Sequence, residues 1–112
     1  MGQLNANGAV GSTNSLTEVE IVPSPAAGYY RMVRSLYFNN QAGGTVTIHV
    51  AKKVSGTNYQ FHSQRLENGY TLEFGDGDMI VLAENETIVA WLDSTPASET
   101  TWVANWGDKD ST

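Results

Sequence analysis

The chain has 112 residues, no cysteine and a formal net charge of −6, and charged residues make up only 16% of it. A chain of this length forms one domain with a real core. The lack of cysteine excludes disulfides, thiol catalysis and zinc sites built from thiolates. The sequence has no basic stripe to neutralise phosphates and no apolar run near the ~20 residues of a membrane helix. Nucleic acid and membrane are therefore not expected as partners.

The charge is unevenly distributed along the chain. Residues 1–66 contain five basic and two acidic residues, which is +3, whereas residues 67–112 contain one basic and ten acidic residues, which is −9. Two halves of opposite sign predict either electrostatic complementarity between neighbouring copies or an ordinary solubilising surface.

The first fifteen residues are rich in Gly, Asn, Ser and Ala, with Leu4 and Val10 as isolated apolar residues. Such a segment cannot repay its ordering entropy alone. We therefore expect a flexible amino-terminal arm over 1–15 that is ordered by an adjacent subunit, with Leu4 and Val10 as anchors.

The segment 29–53 is the centre of the predicted fold. Residues 45–50 alternate, with Val46, Ile48 and Val50 on one face, as in a half-buried strand. The preceding run is apolar on both faces, and Tyr29 and Tyr37 share one of them. The polar loop between the two runs predicts a hairpin. The doubly apolar run predicts a central strand, or one covered by a neighbouring subunit, so both tyrosines are candidate interface residues.

The rest of the chain continues in short strands with turn residues between them. Predicted strands cover 16–23, 59–63, 70–74, 79–83, 87–93 and 100–106, and turns lie at 66–69 and 75–78. About eight strands at this spacing, without a helical pattern, predict an all-β fold. The expected architecture is a single antiparallel β-sandwich or jelly-roll-like domain over 16–107, with a polar tail over 108–112.

No residue pattern indicates catalysis, a metal or a cofactor. The GDGD sequence at 75–78 lacks the further oxygen ligands of a calcium loop and is read as a turn. His49 and His62 fall on different strands without metal-ligand spacing, and no serine lies in a nucleophile elbow. We therefore expect a protein that is not an enzyme.

The three tryptophans leave alternatives open. Trp91 lies among aliphatic residues and is expected in the core. Trp102 and Trp106 share one face of a strand, about 13 Å apart at ~3.3 Å per residue. They are candidates for a sugar-stacking platform, for a subunit interface or for the core.

The stretch LTEVEIVPSPAAGYYRMVRSLYFNNQAGGTVTIHVA resembles small virion proteins of tailed bacteriophages, and the resemblance covers about 16–106. The matching pieces are Val22-Pro23, Ala27-Gly28, 33–39, Gly43-Gly44, 45–50, 66–74 and 79–88. The double proline at Pro23 and Pro25 and the aromatic end at Trp102 and Trp106 depart from the pattern.

The resemblance implies a non-enzymatic structural protein of the virion. The expected role is capsid decoration by a homo-oligomer, a trimer or ring, that also contacts other virion proteins such as the major capsid protein. A tail, neck or baseplate position is the first alternative. A carbohydrate-binding module that uses exposed Trp102 and Trp106 is the second.

Overall fold

The structure is a computed structural model that describes residues 5–13, 16–41, 43–75, 80–93 and 99–110. These residues contain strands and turns and no helix, as the sequence predicts. The nine strands are β1 (Asn5–Thr13), β2 (Val19–Val22), β3 (Tyr29–Asn40), β4 (Val46–Val54), β5 (Thr57–Leu66), β6 (Thr71–Phe74), β7 (Ile80–Leu82), β8 (Glu86–Leu92) and β9 (Thr100–Asp110).

The strands form two antiparallel sheets packed face to face. Sheet I has the order β1-β9-β3-β6, and β7 also pairs with β3, while sheet II has the order β2-β8-β4-β5. The chain passes repeatedly from one sheet to the other, which is the topology of a jelly roll. The predicted fold class, an all-β sandwich, is confirmed.

The predicted hairpin over 29–53 is wrong, because β3 belongs to sheet I and β4 to sheet II. The connection between them crosses the sandwich, and the buried Asn40 holds it by donating from Nδ2 to the carbonyls of Gly44 (2.7 Å) and Leu66 (2.8 Å). The hairpin forms instead between β4 and β5. Its two-residue turn is Ser55-Gly56, with φ of 48° and 89°, which suits the twist of paired strands.

A β-bulge changes which residues of β3 face the core. Val33 pairs with Trp106 and Ser35 with Asn105, so Arg34 is the extra residue. An inserted residue reverses the alternation beyond it. Val33 and Leu36 are therefore both buried, although a strict period of two places them on opposite faces.

The predicted domain boundaries at residues 15 and 107 do not coincide with the fold. Asn5–Thr13 is a strand of the sandwich, paired in register with β9 of its own chain. At the other end β9 extends to Asp110, and Asp108 forms an ion pair with Arg31. Both segments gain order from strand pairing with distant residues, which composition does not reveal.

The core lies between the two sheets. Its largest members come from both sheets and include two of the three tryptophans: Ile21, Val33, Leu36, Phe38, Ile48, Leu82, Ile88, Leu92, Trp102 and Trp106.

Candidate assembly surface

The outward side of sheet I, here called the outer face, carries several of the exposed apolar residues of the chain. Trp102, Ala104, Leu36 and Phe38 point inward, so the residues between them point outward. One row crosses four paired strands through Val10, Val103, Tyr37 and Glu73. Val10 is 74% exposed and Val103 is 39% exposed. The row places two predicted interface residues, Val10 and Tyr37, on either side of Val103.

A second apolar row lies toward the other end of the outer face. Met32 pairs with Gly107 on one side and with Val81, which is 45% exposed, on the other. Between the two rows Asn105 Nδ2 donates to Ser35 Oγ at 2.9 Å. The polar side chains of this region therefore bond to each other and leave a surface of small and apolar groups.

Few charged residues point outward from sheet I. Among the described residues these are Arg34 in the bulge, Glu73 on an edge strand and Lys109 near the end of β9. A largely neutral face with aliphatic and aromatic residues at its centre is typical of a protein–protein interface, where charged residues are depleted.

The outward side of sheet II is different, because it carries more charged groups, two of which bond to each other. Lys53 Nζ donates to Glu18 at 2.6 Å, and Asn58 donates to the same carboxylate at 2.9 Å. The Lys53 hydrogen bond is the main cause of a lowered pKa of Glu18. Sheet II also has exposed aromatic residues, Tyr59 and Phe61, but they lie on its edge strand β5.

Two further predictions concern sheet II. His49 was expected on its wetter face and lies there, stacked on Trp91 with ring centroids 5.4 Å apart. Trp91, expected in the core, is instead half-buried on the outward side. The sequence pattern of β8 predicts this position, because Ile88, Ala90 and Leu92 point inward and Trp91 lies between two of them.

Of the three alternatives left open for Trp102 and Trp106, the structure supports the core, so they are not exposed interface residues in the folded chain. They are 9% and 4% exposed and pack between the sheets. Arg31 covers Trp106, with its guanidinium carbon 4.8 Å from a ring centroid, and binds Asp108 at 2.7 Å. A sugar-stacking platform on these two indoles is therefore excluded.

The other two candidate interface residues contribute nothing to the central row. Leu4 lies outside the described residues. Tyr29 is 38% exposed and lies at the start of β3, opposite Asp110. Val103 is the residue that the prediction of interface positions missed, although its place between inward Trp102 and Ala104 in the sequence identifies it.

The described residues assemble no recognisable reaction centre. They contain no group of three His, Cys, Asp or Glu side chains that could hold a metal ion. Ser63 Oγ lies 3.0 Å from His49 Nδ1 on the exposed side of sheet II, whereas His62 packs against Phe74 at the margin of the core. The two acidic residues of the GDGD turn, Asp76 and Asp78, lie outside the described residues.

A shallow groove of about 310 Å³ opens where β5 ends and β6 begins. Its lining, Gln64, Arg65, Leu66, Glu67, Tyr70 and Thr71, contains no histidine and no paired carboxylates.

No family model matches the chain, and no curated protein is significantly similar to it in sequence. Among solved structures, a chain of a Bacillus endospore appendage is similar, from a study that describes a novel family of disulfide-linked pili. The TM-score is 0.55 at 12% identity, over 98% of this chain and 89% of that one. At this identity the likeness concerns the fold alone. The sequence described here has no cysteine with which to form such disulfides. The described part of the chain includes no helix that is long and apolar enough to span a membrane.

Proposed function

We propose that this protein is a non-enzymatic structural subunit that assembles with copies of itself, and more specifically a bacteriophage virion protein that decorates the capsid. The outer face of sheet I is the observation that supports the proposed assembly of the protein with copies of itself. Val10, Val103 and Tyr37 form a row there that water contacts in the single chain. Exposed apolar groups in a contiguous row mark sites of protein–protein contact.

The contrast between the two sheets supports the choice of surface. On sheet II Lys53 and Glu18 already bond to each other, and Glu18 also accepts from Asn58, so little is gained by covering this pair. On sheet I most outward positions are small, neutral or apolar, and burial of such surface stabilises an assembly at roughly 25 cal/mol per Å² before the costs of association.

The likeness in fold to a solved structure also bears on the proposed self-assembly. The similar solved chain belongs to a pilus, which is an assembly of repeated subunits, but a shared fold does not transfer a function. Placement in a virion rests on the resemblance of 16–106 to phage virion proteins. A tail, neck or baseplate position is the second form of the same proposal.

Self-assembly is tested by measuring the mass of the purified protein by light scattering over a range of concentrations. We expect an oligomer whose mass Val103→Lys lowers, because the lysine places a charge in the centre of the row. Gln60→Lys, on an exposed position of β5 in sheet II, is the matched control and should leave the mass unchanged. A wild-type protein that stays monomeric, or a Val103→Lys variant with the same mass as the wild-type oligomer, would contradict the proposal.

Placement in the particle is tested separately by immunogold labelling of virions from cells that carry the gene. Label over the capsid shell supports decoration, and label at the tail, neck or baseplate supports the second position. Particles without label would remove the virion placement and leave self-assembly to be judged by the mass.

A further inference from the structure

The sandwich has four sheet edges, and three of them carry features that discourage pairing with another strand. β2 has only four residues, a register shift after Glu20 and Pro23 directly behind it. β5 is long, but a register shift leaves Phe61 as an extra residue. β6 and β7 have four and three residues and share one edge of sheet I. Short strands, bulges, charges and prolines are the usual protection of exposed edges.

The fourth edge, β1, has none of this protection. It is nine residues long and pairs with β9 without a register shift. Its sequence, NANGAVGST, contains no charged residue and no proline. On its other side no described strand follows. A long, regular, neutral edge of this kind is a template for a further strand.

We propose that β1 pairs antiparallel with β1 of a second copy about a twofold axis, so that the two copies of sheet I form one continuous sheet. The inference rests on the proposed self-assembly and adds an edge contact to the proposed contact through the outer face. A second copy fits this edge because an antiparallel pair of identical strands is self-complementary. In a chain of net charge −6, the edge without charges is also where two copies meet without like-charge contacts.

The exposed valine of this strand fits the same pairing. If all nine residues pair, Ala9 lies opposite Ala9 of the second copy, and Val10 lies opposite Gly8 of the second copy. Val10, which is 74% exposed, then projects on the outer face beside a residue without a side chain. The two Val10 residues become diagonal neighbours, roughly 7–8 Å apart. The apolar row from Val10 to Tyr37 continues across the twofold axis into the second copy.

The contact predicts an even number of copies, since each twofold contact joins two chains. This replaces the trimer expected from the sequence. An oligomer of three chains would overturn the inference and leave self-assembly intact.

Amide hydrogen exchange tests the pairing directly. In a free edge strand alternate N–H groups point away from the sheet and exchange rapidly, whereas a paired strand is protected along its whole length. We expect alternate β1 amides to exchange rapidly in dilute protein and continuous protection of β1 once the mass shows association. An oligomer whose β1 keeps the alternating pattern would overturn the pairing only. A monomer at every concentration would overturn both the pairing and the proposed self-assembly.

Single cysteines identify the strand that is paired, because the natural chain has none to interfere. We expect a short thiol-to-thiol cross-linker to join Val10→Cys chains into covalent dimers. Tyr59→Cys is the matched control, since Tyr59 is 60% exposed on β5, the other long edge strand. Equal cross-linking at both positions, or none at Val10→Cys, would overturn the pairing. Covalent heterodimers that form preferentially in a mixture of the two variants would show β1–β5 pairing instead and would also overturn it.

Discussion

The contact between Gly11 and Trp102 holds β1 against the core, and it allows the effect of a substitution at Gly11 on stability to be predicted. The two residues pair across β1 and β9, and the indole lies directly over the glycine. A Cβ atom at Gly11 would lie 2.4 Å from Trp102 Cζ2 and 2.7 Å from Cε2. These distances are far below van der Waals contact, and the ring cannot move freely because it is 9% exposed in the core. We therefore predict that Gly11→Ala destabilises the protein.

The magnitude follows from two opposing effects. Overpacking of a filled core costs about 1–3 kcal/mol. Replacement of glycine by alanine restricts the unfolded chain, which stabilises by about 0.4–1 kcal/mol. The difference between the two ranges is about 0–2.6 kcal/mol. The approach of 2.4 Å to a buried ring places the expected net destabilisation in the upper part of it, about 1–2.6 kcal/mol. A domain near this size loses roughly 4–8 °C in Tm per kcal/mol.

A double-mutant cycle identifies the cause. Trp102→Phe removes the ring atoms that Gly11→Ala would meet, so alanine at this position should cost little in the Trp102→Phe background. Urea unfolding of all four proteins at one concentration gives the coupling free energy, for which we expect about 1 kcal/mol or more. Equal costs of Gly11→Ala in both backgrounds would refute the steric explanation.

Two further predictions concern charged residues that join parts of the sandwich. Arg31→Met should lower the free energy of unfolding in urea by about 3 kcal/mol, because Asp108 is left without its partner. This is the lower end of the range for breaking a buried pair, since the Asp108 side chain keeps 21% exposure. The control Arg34→Met, at the exposed bulge, should change stability by less than about 0.5 kcal/mol. The pKa of Glu86 is lowered mainly because its carboxylate accepts the backbone N–H of Ala83. Its contribution to stability is therefore complete above the ordinary value of 4.5 and is lost as pH falls through the lowered pKa. Unfolding midpoints measured down to about pH 3 should fall less steeply for Glu86→Gln than for the wild type, and parallel curves would contradict this.

The sequence predicts strands well because a half-buried strand alternates with a period of two. β4, with Val46, Ile48 and Val50 inward, is an example. The same pattern does not identify the partner of a strand. β3 and β4 bury their apolar sides in one core from opposite sheets, and a hairpin would need the same alternation. The pairing is decided by the connection at Asn40, whose hydrogen bonds reach as far as Leu66.

The order of β1 has no local cause in the sequence. Its residues are small and polar, and Ala9 is its only described side chain that packs against the core as a partly buried hydrophobic residue. The strand is ordered by main-chain pairing with β9, about a hundred residues later, and by the indole that fills the space over Gly11. The composition of this segment therefore fits a flexible arm and an edge strand equally well. Whether it forms a strand is decided by the distant residues of β9 with which it pairs.

The charge asymmetry of the sequence leads to a different conclusion once the fold is known. Of the five basic residues in 1–66, three form ion pairs within the chain: Arg31 with Asp108, Lys52 with Glu86 and Lys53 with Glu18. The apparent positive half is thus largely neutralised inside each copy, and little positive charge is left to attract the acidic half of a neighbour. We predict that the oligomer persists when the ionic strength is raised to about 1 M, where the Debye length is only ~3 Å. Assembly through the outer face or the β1 edge buries neutral groups, so light scattering should show an unchanged or larger mass. Dissociation in salt would show that charge holds the copies together and would contradict both contacts.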